Sequence, residues 1–422
     1  MPGYDSAVQY MLGRAEETGL EAVEFCRFPW DGRHRFFDTW YTTPCWEPHE
    51  ASLRIVEPVS VEVANAAEIP VTLGMRSGST PPGGMTSELI YVGPGFRDSD
   101  YAGKNVRGKI VFMEPHGQLS FNAVDAARRH GVAGIVISGL IDHEPYWDRI
   151  DRPYMIGHAW TTQWYLGSPH DFTREIFTFS ISHRQATWLR QLLAQGPVKA
   201  HATVRATFRA GEAGTISAVI PGCEHADEEV VLLAHLDHPW PGANDNASGS
   251  ALLLEMARTM KSLIARGEMP PPRRTVRFLW TVHLIGAAAW LEQHPDWAAG
   301  VIAGFNLDSV GGRNAGASRS VRVTRASDIV PSFANDLVER LLEDAPAHTR
   351  SFLSRREPPE PHWVHTVRPY SRGSDHALLN DHAVPVPCLS FGAWPSLWYH
   401  TDQDADAHID DQVFEHHGWI IG

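Results

Sequence analysis

Apolar positions along the chain recur with two periods. Alternating or short continuous apolar runs, bounded by Gly, Pro and Asn, predict strands at 51–56, 59–63, 89–92, 109–112, 132–138, 177–182, 201–208, 215–220, 230–235, 275–282, 301–307, 321–324 and 384–391. Apolar residues three and four apart predict helices at 5–19, 122–130, 184–194, 247–266, 284–294 and 331–344, and a short one opens at Ser374-Asp375-His376. In 247–266 the stripe is Leu252, Leu253, Leu254, Met256 and Met260. The runs at 230–235, 275–282 and 301–307 read as fully buried strands. Strands alternating with helices predict an α/β fold with a largely parallel sheet. Residues 140–170 and the Pro- and Arg-rich 351–372 read as loops, Ser77–Gly84 as a loop or domain boundary, and the acidic run 402–411 as a helix start.

A length of 422 residues exceeds one ordinary core. The patterning suggests three stretches: 1–84 as the first part of the main domain, 85–198 as a small inserted α/β unit, and 199–422 as the main, catalytic domain. With 43% hydrophobic and 20% charged residues the chain is globular. A net charge of −14 argues against nucleic acid as a partner. No run of 18 apolar residues exists to span a membrane. The first residues lack a basic stretch followed by an apolar one, so a cytoplasmic protein without a signal peptide is expected. The four cysteines have no paired spacing and suggest neither a zinc knuckle nor a disulfide framework. Homo-oligomerisation stays open.

The chemistry gathers around Val230–Gly249, VVLLAHLDHPWPGANDNASG. His235 and Asp237 end a strand, and Asp245 follows in a Gly- and Asn-rich turn. His283 ends the strand at 275–282, Asp308 ends that at 301–307, and His400 follows the loop after the last strand. Sites in α/β sheets are built at the carboxyl ends of strands. Imidazoles with carboxylates suit zinc or another divalent ion, and a cation offsets the cost of burying a carboxylate. The competing reading is an acidic surface turn, which four separate strand-end matches weigh against. His362 and His365 on the 351–372 loop are further candidate ligands, and Trp394, Trp398 and Tyr399 either shape a pocket or pack.

The segments VVLLAHLDHPWPGANDNASGSALLLEMAR, FNLDSVG, SRGSDHALL and WYHTDQDADAHID resemble the zinc aminopeptidases of the bacterial leucyl aminopeptidase and aminopeptidase Y family, over residues 200–422. GKIVFMEPHG, AARRHGVAGIVISG and FTFSISHRQATWLRQLLAQG resemble the protease-associated domain inserted in several exopeptidase families. The first resemblance implies an α/β/α sandwich around a mixed, largely parallel sheet, one or two zinc ions per chain, and release of N-terminal residues from small peptides. Carried over by residue, His235 and Asp308 would hold one zinc, His400 the other, and Asp245 would bridge. Asp237 would hydrogen-bond the ring of His235 and fix its tautomer. Asp375 and His376 match a Ser-Asp-His motif near the family's site and either support it, touch substrate or pack.

One departure stands out. The family has two consecutive glutamates, general base and zinc ligand, followed after one residue by glycine. Aligning on Gly286 places His283 and Leu284 there. Three readings stay open. His283 is the base, over a site working mainly with one ion on His235, Asp245 and Asp308. Or His283 is a ligand, beside Asp245 and His400. Or the peptidase chemistry is lost and the domain binds or assembles. A specialised amidohydrolase and a single-zinc glutaminyl-cyclase-like enzyme are the remaining alternatives.

Overall fold

The strand that ends at His235 has no polar alternation because both its faces are covered. Leu232 and Ala234 pack into one apolar cluster, Val231 and Leu233 into another, as in strands with helices on both sides. The computed structural model describes residues 2–38, 40–115, 120–138, 153, 175–238, 240, 242–312, 319–348, 363–394, 396 and 398–422. The loops expected at 140–170 and 351–362, with His362, lie almost wholly outside them. No helix among the described residues is long and apolar enough to cross a membrane.

The chain forms two compact units. The first holds residues 1–28, 212–399 and 404–422, and the second holds 29–211 with the short stretch 400–403. Eight strands build the first unit's sheet: β1 (Glu21–Trp30), β2 (Gly211–Ile220), β3 (His225–His235), β4 (Arg274–Thr281), β5 (Val301–Leu307), β6 (Arg319–Thr324), β7 (Trp363–Arg368) and β8 (Cys388–Gly392). Their order is β1-β2-β4-β3-β5-β8-β6-β7. The central strands β4, β3, β5 and β8 run parallel, β2 and β6 pair antiparallel at either side, and β6 pairs parallel with β7. The sheet is therefore mixed and largely parallel, as expected. Its helices are α1 (Pro2–Glu17), α2 (Gly249–Ala265), α3 (Ile285–Gln293), α4 (Ala334–His348), α5 (His376–Leu379) and α6 (Asp411–Ile421). Leu252, Leu253 and Met256 of α2 bury in the same cluster as Leu232, and Trp290 and Leu291 of α3 in that of Leu233.

The second unit carries its own seven-stranded sheet, ordered Val61–Asn65, Cys45–Glu57, Lys199–Arg209, Met85–Tyr91, Ile110–Met113, Gly134–Ile137 and Phe177–Ser180. Its last helix, His183–Gln195, starts at a capping box. The Ser182 hydroxyl accepts the Gln185 N–H, and the Gln185 side chain accepts the Ser182 N–H.

Three expectations need correction. The second unit begins at Pro29 rather than 85 and ends at Gly211 rather than 198. The cause is one long antiparallel ladder in which Lys199–Arg209 pairs with Cys45–Glu57. Within the expected loop 351–372, Trp363–Arg368 forms the edge strand β7. Glu21–Trp30, where no element was expected, forms strand β1.

Candidate metal centre

The parallel strands deliver their carboxyl ends to one place. His235 is the last residue of β3, Asp308 follows β5, and His283 comes two residues after β4. His235 is 4% exposed. Its Nε2 lies 3.4 Å from Asp245 Oδ1 and 3.6 Å from Asp308 Oδ1. The ligand atoms of His235, His283 and Asp308 all fall within 4.8 Å of one another, and the rings of His235 and His283 are 4.9 Å apart.

The Asp245 loop is held by side chains on its own sequence. Asn246 donates through Nδ2 to the Leu307 carbonyl at 2.9 Å, and its Oδ1 accepts the N–H groups of Gly249 and Ser309 at 3.0 and 3.1 Å. This ties the loop to the end of β5. Asp404 adds a second clamp: its carboxylate accepts the N–H of Asn244 at 2.8 Å and of Asp245 at 2.9 Å. Asp245 is thereby buried, at 4% exposure, with its carboxylate turned to His235.

Asp237 does not act as expected. The ring of His235 donates through Nδ1 to the main-chain carbonyl of Asp237 at 2.9 Å, while the Asp237 carboxylate is 3.9 Å from that nitrogen. The carboxylate instead accepts the His283 N–H at 2.7 Å. Asp237 still sets the tautomer that leaves Nε2 toward the carboxylates, but through its backbone. Asp375, fully buried, accepts the Thr281 hydroxyl and the N–H of Leu284. Two carboxylates thus grip consecutive amides of the His283-Leu284 turn. Leu284 adopts φ 60° with its side chain buried, so the position offers no donor.

His376 is also buried and donates through Nε2 to the Ser371 carbonyl at 2.9 Å. Burial lowers its pKa to about 4, so its ring is neutral, and it belongs to no group of candidate ligands among the described residues. His400 is buried, at φ 58°. His365 lies on β7, its Nε2 2.7 Å from that of His416. One residue was missed altogether. His238 places Nε2 3.6 Å from Asp245 Oδ2. The signal was present in His-Leu-Asp-His, three residues after His235.

The donor set fits a divalent cation. Burial alone would lower the pKa of His235, yet its hydrogen bonds to the carboxylates of Asp245 and Asp308 hold it well above the ordinary value. Burial would raise Asp308, but His235 holds it low. The pocket therefore demands positive charge, which a proton on His235 or a bound cation supplies. Nitrogen and carboxylate oxygen without thiolate suit zinc among other divalent ions.

Residues 215–422 match peptidase family M28. The chain is 29% identical over 335 residues to "Probable lipoprotein aminopeptidase LpqL" of Mycobacterium tuberculosis, covering 75% of this chain and 55% of that protein. It is 30% identical over 194 residues to transferrin receptor protein 1 of Gallus gallus, covering 45% of this chain and 23% of the receptor. It spans just over half of the first relative and under a quarter of the second. A solved zinc aminopeptidase from Bacillus subtilis superposes with TM-score 0.66 at 19% identity, covering 100% of this chain and 88% of that one; the likeness is one of fold. Residues 215–422 of this chain form a peptidase family M28 domain.

Proposed function

We propose that this domain is a zinc-dependent hydrolase of amide or peptide bonds, aminopeptidase-like, acting on small peptides. The supporting observation is the placing of buried His235, whose Nε2 faces carboxylate oxygens at 3.4 and 3.6 Å. His235, Asp245 and Asp308 would hold one ion. Asp245, with His400 as the family resemblance implies, would hold a second. Bound zinc would polarise the scissile carbonyl and make an attacking water acidic near neutral pH.

The chain's own residues do the rest. His283, held at its N–H by Asp237, takes the proton from the attacking water and gives it to the leaving amine. Such a base contributes about 10²–10⁴-fold. Acidic groups around the site receive the free amine of the substrate. A second reading, a binding module without turnover, is favoured by Leu284, whose buried apolar side chain stands where the family carries a ligand.

The test is hydrolysis of a panel of aminoacyl anilides and peptide amides, with zinc counted on the same samples. Asp245→Ala should lose both metal and turnover. His283→Ala should keep its metal and lose about 10²–10⁴ in kcat; losing an ion instead would make His283 a ligand. No turnover of any amide, with any added metal, would sink the hydrolase and leave the binding module. Ammonia release from N-terminal glutamine without consumption of water would point to a cyclase.

A further inference from the structure

Asp245 carries an imidazole on each of its carboxylate oxygens. Oδ1 faces His235 Nε2 at 3.4 Å and Oδ2 faces His238 Nε2 at 3.6 Å. The two rings are presented in the same way. His235 donates through Nδ1 to the carbonyl of Asp237, and His238 donates through Nδ1 to the carbonyl of Trp240, each two residues further on. A neutral ring that donates from Nδ1 keeps its lone pair on Nε2, and this is how ligating histidines are commonly oriented. Both side chains are largely buried, at 5% and 12% exposure.

The backbone is shaped for this pairing. Residues three apart on a continuing strand point to opposite faces. Here β3 stops at His235, and the turn that follows brings His238 back to the same carboxylate. Gly242 permits the fit, since a Cβ there would meet the Asp245 carbonyl oxygen at 2.0 Å and His238 Nδ1 at 3.0 Å. The Oδ1 side of Asp245 already has His235 and Asp308. The Oδ2 side has His238, and Leu284 adds no donor to the site.

We infer that His238 is a metal ligand, binding through Nε2 the ion on the Oδ2 side of Asp245. The inference rests on the zinc-site reading above and adds a donor to it. A carboxylate with one histidine on each oxygen is arranged to bridge two ions, one per oxygen.

The test is zinc per chain by elemental analysis on the full chain, equilibrated with zinc and desalted, for wild type, His238→Ala, His238→Asp and His235→Ala. The expected result is two ions on Asp245 in wild type, one fewer in His238→Ala, and recovery of the lost ion in His238→Asp, which supplies a carboxylate oxygen in place of the imidazole nitrogen. Recovery separates ligation from a folding defect, and circular dichroism checks the fold of each variant. Glu24, Cys26 and His294 also offer ligand atoms within 4.8 Å of one another. They are unchanged in every variant, so the count is read as a difference. Equal zinc in wild type and His238→Ala, with His235→Ala depleted, overturns the inference and leaves the zinc hydrolase standing. No site-dependent zinc in any sample overturns both.

Discussion

At the scale of single residues, acidic side chains here position more than they react. Asp237 holds the His283 amide, and Asp375 holds the Leu284 amide and the Thr281 hydroxyl. Asp375 is the sharper case, because its two oxygens accept from two different donors. Asp375→Asn replaces one acceptor with an NH₂ group facing a donor, which costs a bond and adds a clash. The expected outcome is a loss of about 10- to 100-fold in kcat with zinc content unchanged, read by steady-state kinetics on metal-counted protein. Unchanged kcat would mean that the turn holds without this clamp. The gathering of His235, Asp245 and Asp308 in one place was legible in the sequence because strand ends and motif agreed on it. The carbonyl role of Asp237 was not, since residue type does not say which of several acceptors a donor will choose. His238 was passed over because its pairing with Asp245 depends on where β3 stops.

At the scale of elements, the carboxyl ends of the four central parallel strands were legible to within a residue, because continuous apolar runs admit few alternatives, while the starts of β3 and β8 differ from expectation by four or five residues. β7 was not. Its sequence, WVHTVR, is only partly buried, and it lies at the sheet's edge with a single neighbour, so tertiary pairing alone makes it a strand. Two helices carry a pH liability. His376 in α5 and His417 in α6 are both buried, and each donates to a main-chain carbonyl, at 2.9 and 2.8 Å. Burial holds both near a pKa of about 4, against 6.5 for an exposed ring. Above pH 6.5 the rings are neutral in folded and unfolded chains alike, and their contribution is constant. Between 6.5 and 4 the unfolded chain takes up protons that the folded one refuses. Stability then falls as pH falls, by about 1.4 kcal/mol per unit for each ring. At pH 5 the loss is about 2 kcal/mol per ring relative to pH 7. Urea unfolding of chelated protein at pH 7, 6 and 5 should show this slope, and His417→Gln should flatten it. A pH-independent midpoint would show that these rings charge without cost.

At the scale of the whole molecule, the chain leaves the first sheet after β1 and returns to it at β2, its neighbour in the sheet. The 29–211 unit is inserted between two adjacent strands, and the Gly- and Pro-rich stretch Ser77–Gly84 made a boundary near 85 look natural in the sequence. Its core, around Leu53, Ile110, Phe112 and Phe179, shares no residue with the cluster around Leu232, Trp280 and Leu389 in the first unit. The candidate metal-holding residues His235, Asp245 and Asp308 lie in the first unit, and an ion that binds only the folded form stabilises what it binds. At free zinc 1,000 times the dissociation constant the gain is about 4 kcal/mol. Calorimetry should therefore resolve a transition that moves up with zinc and down with chelator, beside one that ignores both. In His235→Ala the first transition should stop responding. If chelation moves nothing, the buried histidine between two carboxylates is satisfied by its proton, and the metal reading fails. If both transitions move together, the zinc reading survives but the two cores melt as one cooperative unit, and the insertion has become part of the domain that hosts it.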